Sequence, residues 1–207
     1  MKTVPIEYGK FYHIYNRGIN GCNLFHENEN YEHFLYLYDK HAAKVTDTFA
    51  WVLMTNHFHV LVRIKSVKEL NLQGFKNLEG LKGTTRNFAN QQFANLFNAY
   101  TKSINKRYRR TGSLFEHPFK RIPVTKNEQL KYLVYYIHHN PIHHGFFEHF
   151  LEYPWSSYLT MVSPKKTKLN RKEVLEWFEN KTYFKEYHSN EAIEKYKDLH
   201  IDSFNDF

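Results

Sequence analysis

The sequence predicts an α+β fold, a small antiparallel sheet with helices on one face followed by a helical C-terminal appendage. Three observations carry that expectation. Short β-rich runs with period-two alternation are interleaved with longer runs whose apolar residues recur every three to four positions. Their order along the chain is βαββα and then a further strand and helix, which suits a ferredoxin-like (RRM-like) sheet. The charge balance also changes late in the chain: residues 165–207 hold nine basic and nine acidic side chains, so the whole net charge of +8 lies in residues 1–164.

The elements are justified in turn. Phe11 to Gly18 is rich in β-formers and stops at a glycine, a strand and then a loop. Glu29 to Lys44 repeats apolar residues (Tyr31, Phe34, Leu35, Tyr38) at helical spacing. Thr48 to Met54 and His57 to Ile64 are strand-like and separated by the turn-prone Thr55-Asn56, a hairpin. Ser66 to Thr85 has no clear period and reads as an excursion, with room for a helical turn from Val67 to Leu72. Arg86 to Tyr108 carries Phe88, Phe93, Leu96, Phe97, Tyr100 and Ile104 at helical spacing. Pro118 to Val124 reads as a strand, and Asn127 to His139 as a helix that stops before Pro141, because a residue preceding proline is pushed out of the helical region. After the link Pro164 to Lys168, two helices are expected near Arg171 to Glu179 and Asn190 to Leu199.

At 207 residues and 42% hydrophobic content, the chain is expected to form one domain over residues 1–164 with an extension over 165–207, and disorder of the whole is excluded. No run of 18 apolar residues and no secretion signal is present, so the expectation is a soluble, cytoplasmic protein without membrane contact. One cysteine, Cys22, excludes an internal disulfide and a cysteine-rich zinc site. A one-sided positive charge with 18% aromatic residues suits a polyanion whose bases stack, and single-stranded nucleic acid is the first such partner. Lys102 to Arg121 concentrates that character: Lys102, Lys106, Arg107, Arg109, Arg110, Lys120 and Arg121 face one acid, Glu116, among Tyr108, Phe115 and Phe119. Arg17 and Arg63 are candidates for further contacts to DNA.

On the strand from His57, alternation puts Phe58, Val60, Val62 and Ile64 on a core face and His57, His59, Leu61 and Arg63 on the other. Two imidazoles one residue apart lie within about 7 Å. They suit a divalent cation, or they are merely polar residues on an exposed strand face. On the helix at residues 127–139, Leu130, Leu133, Val134 and Ile137 make the buried stripe. Tyr136 flanks it, with Asn140 one turn later on the same side, whereas Tyr135 and His139 project nearly opposite. Tyr136 is therefore either a functional hydroxyl or a boundary aromatic. A tyrosine hydroxyl, with a pKa near 10, attacks phosphorus poorly without a cation to polarise the phosphate, and His57, His59 and Asn140 would hold one. No phosphate-binding glycine loop is present.

Five motifs occur together in order: Tyr15-Asn16-Arg17-Gly18; Asn56-His57-Phe58-His59-Val60-Leu61-Val62; Tyr100-Thr101-Lys102-Ser103-Ile104-Asn105 with Gly112-Ser113-Leu114-Phe115; Tyr136 with Asn140-Pro141; and Tyr153-Pro154-Trp155-Ser156-Ser157-Tyr158. In this the chain, from about residue 5 to 160, resembles the single-tyrosine transposases of the HUH nuclease superfamily. The REP-associated tyrosine transposases and their insertion-sequence relatives are the group it resembles most.

The resemblance implies a transposase that cleaves and rejoins single-stranded DNA at a hairpin-flanked site. Tyr136 would be the attacking tyrosine, leaving a 5′-phosphotyrosine, and His57, His59 and Asn140 would be the ligands of a catalytic Mg²⁺ or Mn²⁺. Imidazole ligation favours Mn²⁺ on chemical grounds, and the family is described with Mg²⁺. Such a protein would work as a monomer or homodimer, associated with the nucleoid. The tyrosines at 132 and 135 are the alternative nucleophiles. The competing functions are a hairpin-binding protein that does not cut and a metal-dependent phosphoesterase in which water attacks.

Overall fold

A computed structural model describes residues 4–70 and 82–189 of the chain. Four strands, β1 (Phe11–Arg17), β2 (Thr46–Met54), β3 (His57–Ile64) and β4 (Lys120–Val124), form one antiparallel sheet in the order β2-β3-β1-β4. The helices α1 (Asn28–Lys40) and α2 (Lys82–Arg107) connect them in the ferredoxin-like pattern. α3 (Asn127–His143) follows β4, and α4 (Tyr158–Val162), α5 (Arg171–Trp177) and α6 (Lys181–His188) complete the described chain. None of the described helices is long and apolar enough to cross a membrane.

Alternation assigns the two faces of the sheet. Tyr12 and Ile14 on β1 and Phe58, Val60, Val62 and Ile64 on β3 turn toward α1 and α2, where they meet Phe34, Leu37, Phe93, Leu96, Tyr100 and Ile104. α1 and α2 thus share one face, as expected. The opposite face is covered as well: Val52, Met54 and Leu61 pack against Leu130, Leu133, Val134 and Ile137 of α3. α5 and α6 join this cluster through Val174, Phe178 and Phe184, with Trp177 against Phe11 and Phe49 of the sheet and His188 against His138 of α3, so the described part of the extension shares the core of the sheet. A sheet buried on both faces explains why β3 is almost continuously apolar or buried.

The outer edge of β2 is not left open. Trp51 and Leu53 exchange backbone hydrogen bonds with Ser157 and Trp155, and Asn170 N–H donates to Thr48 O. The Tyr153–Tyr158 motif therefore acts as an edge strap, with Tyr153 Oη donating to Leu53 O at 2.5 Å and Trp155 stacked on Tyr31 at 4.5 Å.

Several boundaries differ from expectation, and α3 differs in a way that matters. It runs through Pro141 to His143 instead of stopping at His139. The stop lies later, at Gly145 with φ +67°, where Phe146 N–H donates to Pro141 O and Gly145 N–H to Ile142 O. That is a Schellman closure, which needs a left-handed residue at Gly145 and holds the helix past its proline. Elsewhere α1 ends at Lys40, followed by a separate turn at Ala42–Lys44, β4 begins at Lys120, and α5 ends at Trp177, two residues before Glu179, whose φ is +65°. α6 was not anticipated; Asn180 caps it by accepting from Thr182 and Tyr183 N–H. The helix expected at Asn190 to Leu199, and residues 71–81 of the expected excursion, lie outside the described residues.

Candidate functional site

β1 and β3 are the two central strands, and their register puts Tyr15 opposite His59 and Arg17 opposite His57. Alternation turns His13, Tyr15, His57 and His59 toward α3, which crosses this face with Tyr136 and Asn140 facing the strands. His57, His59, Tyr136 and Asn140, drawn from two elements more than seventy residues apart, are thus brought together in a buried layer.

His57 is held at both nitrogens. Its Nδ1 lies 2.7 Å from Asn56 Oδ1 and its Nε2 3.0 Å from Asn140 Oδ1, and a neutral ring has one proton for the two oxygens. With the proton on Nδ1, Nε2 keeps its lone pair, so two acceptor atoms face each other. Their spacing equals the edge of an octahedron with metal–ligand distances of about 2.1 Å. Asn140 is fully buried, and its Nδ2 makes no hydrogen bond. Among the described residues no three His, Cys, Asp or Glu side chains are arranged to hold a metal. The third donor beside the two histidines is the Asn140 amide, and an N, N, O set of neutral donors fits a divalent cation.

Burial fixes the protonation states. It pushes His57 down to about 4, with Asn140 opposing and His144 and Arg17 adding to the shift. It pushes His13 down to about 3 and His59 well below the usual imidazole range. All three are neutral rings at neutral pH, the form in which imidazole ligates a metal. Burial also pushes the Tyr136 hydroxyl up to about 12, with Tyr15 adding and Asn140 opposing. Tyr136 therefore carries its proton at neutral pH.

Tyr136 packs against the strand histidines, at 5.7 Å from His59 and 6.3 Å from His13 between ring centroids. Tyr135 does project away from the sheet, as expected, yet it is buried: it stacks on His139 at 3.9 Å beneath Tyr187 and His188. Tyr132 sits between them, 6.5 Å from Tyr136 and 6.0 Å from Tyr135.

Four residues near the site have no role assigned from sequence, although Tyr15 belongs to the first motif. His13 Nε2 lies 2.8 Å from His59 Nδ1, and Tyr15 stacks on both rings. His144 lies 4.8 Å from His57 and His143 5.7 Å from Tyr136, both beyond the residue where α3 was expected to stop. For His13 and Tyr15 the signal was present: alternation along β1 puts both on one face, and a strand neighbouring β3 places them beside His57 and His59.

The basic residues divide. Lys102, Lys106 and Arg109 are exposed and enter no ion pair among the described residues, and Lys120 is half-buried. Arg17 is near the site but bound to Glu116 at 2.6 Å, and Arg107 is bound to Glu27 at 2.5 Å. Arg110 reaches Cys22 Sγ at 3.9 Å, and Arg121 donates to Val4 O and Asn90 Oδ1. Arg63 is not brought to the site: six residues from His57 along β3, about 20 Å away, it pairs with Asp47 and Glu69. The segment after α2 does run beside the site, because Gly18 bridges to Phe115 and Glu116 N–H donates to Arg17 O. Gly18 is required there, since a Cβ would stand 1.9 Å from Cys22 O. A cavity of about 700 Å³ between α1, β2 and Thr167–Leu169 lies on the other face of the sheet and shares no residue with this cluster.

The fold has a solved counterpart. The chain is similar to a REP-associated tyrosine transposase bound to a REP hairpin, with 14% identity and a TM-score of 0.58 over 79% of this chain and 87% of that one. A likeness at that identity is one of fold. No family model and no curated protein matches the chain.

Proposed function

We propose that this chain is a single-tyrosine nuclease and strand transferase that cuts and rejoins single-stranded DNA beside a hairpin. The observation that carries the reading is the convergence of His57 Nε2 and Asn140 Oδ1 at 3.0 Å, with His59 and Tyr136 packed against them in a buried layer. The hairpin-bound transposase with the same fold supports the choice of DNA as substrate.

In this reading Tyr136 Oη attacks the scissile phosphorus and loses its proton. The bond from phosphorus to the 3′-oxygen breaks, the 3′-oxygen takes up a proton, and a 5′-phosphotyrosine remains. A divalent cation, Mg²⁺ or Mn²⁺, held by His57, His59 and Asn140 would polarise the phosphate and stabilise the leaving oxygen. A phenol kept protonated by burial needs that assistance. The phosphotyrosine conserves the energy of the broken ester, so attack by a 3′-OH rejoins the strand without a nucleotide cofactor. Lys102, Lys106 and Arg109, exposed at and after the end of α2, supply phosphate contacts along the approach to Arg17.

The test mixes wild type and Tyr136→Phe with labelled single-stranded DNA from the flanks of the gene, with Mg²⁺ or Mn²⁺, on a denaturing gel. A covalent adduct present in wild type and lost in the variant is expected. An adduct that survives moves the role to Tyr132 or Tyr135. Hairpin binding with no adduct overturns the enzymatic reading, and cutting without an adduct makes water the nucleophile.

A further inference from the structure

One contact has no part in the function just described: the fully buried pair His13 Nε2···His59 Nδ1 at 2.8 Å. The two rings stack with centroids 5.0 Å apart, and Tyr15 stacks on both, so neither imidazole is loose in its slot. Two neutral imidazoles at this distance share one proton between the facing nitrogens, and only two arrangements exist. If His13 donates, His59 carries its own proton on Nε2 and has no lone pair for the site. If His59 Nδ1–H donates, His59 Nε2 keeps a lone pair and His13 carries its proton on Nδ1.

We propose that His13 is a positioning residue that accepts from His59 Nδ1–H and thereby fixes His59 with its Nε2 lone pair toward Tyr136 and Asn140. The proposal rests on the reading of His59 as a metal ligand, because His13 occupies Nδ1 and leaves Nε2 as the ligating atom. His57 supplies an independent parallel. Its Nδ1 makes the shorter of its two contacts, 2.7 Å to Asn56 Oδ1, and its Nε2 is the atom that meets Asn140 at 3.0 Å. With the proton of each ring on Nδ1, the same orientation is set on both imidazoles by different partners, a loop amide for His57 and a histidine from the neighbouring strand for His59. Outer partners of this kind set the tautomer and ring angle of a metal-binding histidine. His13 does so as a neutral acceptor, so it brings no charge into a layer where its own side chain is 0% exposed.

The experiment has two arms on the full chain. Long-range ¹H–¹⁵N spectra of ¹⁵N-histidine-labelled protein without metal report the tautomer directly. His59 as Nδ1–H supports the proposal, and His59 as Nε2–H overturns it. Mn²⁺ affinity, followed by the free-ion electron paramagnetic resonance signal, is then compared for wild type, His13→Leu and His13→Gln. A 10- to 100-fold loss is expected in His13→Leu. Recovery is expected in His13→Gln, whose amide oxygen can accept. Equal affinity in all three, with the spectra showing folded proteins, overturns the positioning role. Wild type that binds no Mn²⁺ overturns the metal-site reading instead, and the tautomer arm decides His13 without reference to DNA cleavage.

Discussion

α3 separates two buried histidine networks, and they are built differently. On its far side the chain of hydrogen bonds is closed. Phe184 O can only accept, so His188 Nδ1 donates to it at 2.8 Å, and His188 Nε2 accepts from His138 Nδ1 at 2.9 Å. His138 Nε2 accepts from Ser157 Oγ at 2.7 Å, and Ser157 Oγ accepts from Trp51 N–H at 2.9 Å. Every nitrogen of both rings has a partner, and the chain ties α6, α3 and the β2 edge strap together. On the sheet side, His57 Nε2 and Asn140 Oδ1 meet as two acceptors, and Asn140 Nδ2 makes no hydrogen bond. A closed network stabilises. An open one of the same residue types is the arrangement that the proposed cation site requires.

The largest expected separation between the two comes from removing one histidine on each side. His57→Ala should act chiefly on DNA cleavage, lowering it about a thousandfold at temperatures where the variant stays folded, equivalent to several kcal/mol of cation-dependent stabilisation of the transition state. His138→Ala should do the reverse. It strands Ser157 Oγ and His188 Nε2 and opens a cavity, a loss of about 3 kcal/mol. At about 2–4 °C per kcal/mol for a chain of this size, Tm should fall by about 6–12 °C. The adduct should still form at temperatures where the variant is folded. Loss of cleavage in a folded His138→Ala protein of unchanged Tm would show that the two sides of α3 are one site.

How much of this was legible depended on range along the chain. β3 was read to the residue, His57 to Ile64, because alternation of core and site residues is a local pattern. The helical phase that paired Tyr136 with Asn140 was equally local. The local rule for a residue before proline predicts a stop at His139, but Gly145 in its left-handed conformation lets the helix close five residues after Asn140. His13 escaped because its partner is 46 residues away, across a strand pairing that alternation alone does not name. The closed network escaped for the same reason, since His138 and His188 are 50 residues apart and α6 carries no motif. Arg63 shares a face with His57, but a shared face says nothing of distance along a strand.

Acid should weaken both networks in the same direction. Burial holds His188 down to about 3, with Phe184 O opposing and His139 adding, and holds His138 well below the usual range, as it does the three strand histidines. The unfolded chain takes up protons near 6.5 while the folded chain does not. The stability is therefore complete above about pH 6.5 and is lost as pH falls from there toward 3–4, at about 1.4 kcal/mol per pH unit for each histidine. Urea midpoints at pH 7, 6 and 5 should fall steeply. His188→Gln should make the slope shallower by about one histidine's share. A midpoint that does not move between pH 7 and 5 would mean that these rings are not neutral and buried.

The smallest effect expected is that of Tyr135→Phe, and it sharpens the comparison at the point where the two sides of α3 are one residue apart. Tyr135 belongs to the far side: its ring stacks on His139 at 3.9 Å and is covered by Tyr187 and His188. Removing its hydroxyl leaves that packing in place, so the loss should be about 1 kcal/mol or less, with adduct formation unchanged. Tyr136 faces His59 and His13, so its hydroxyl is the one whose loss should abolish the adduct. A Tyr135→Phe protein that is folded and forms no adduct would place the reacting hydroxyl on the closed side, and the distinction between a structural and a reactive face of α3 would fail.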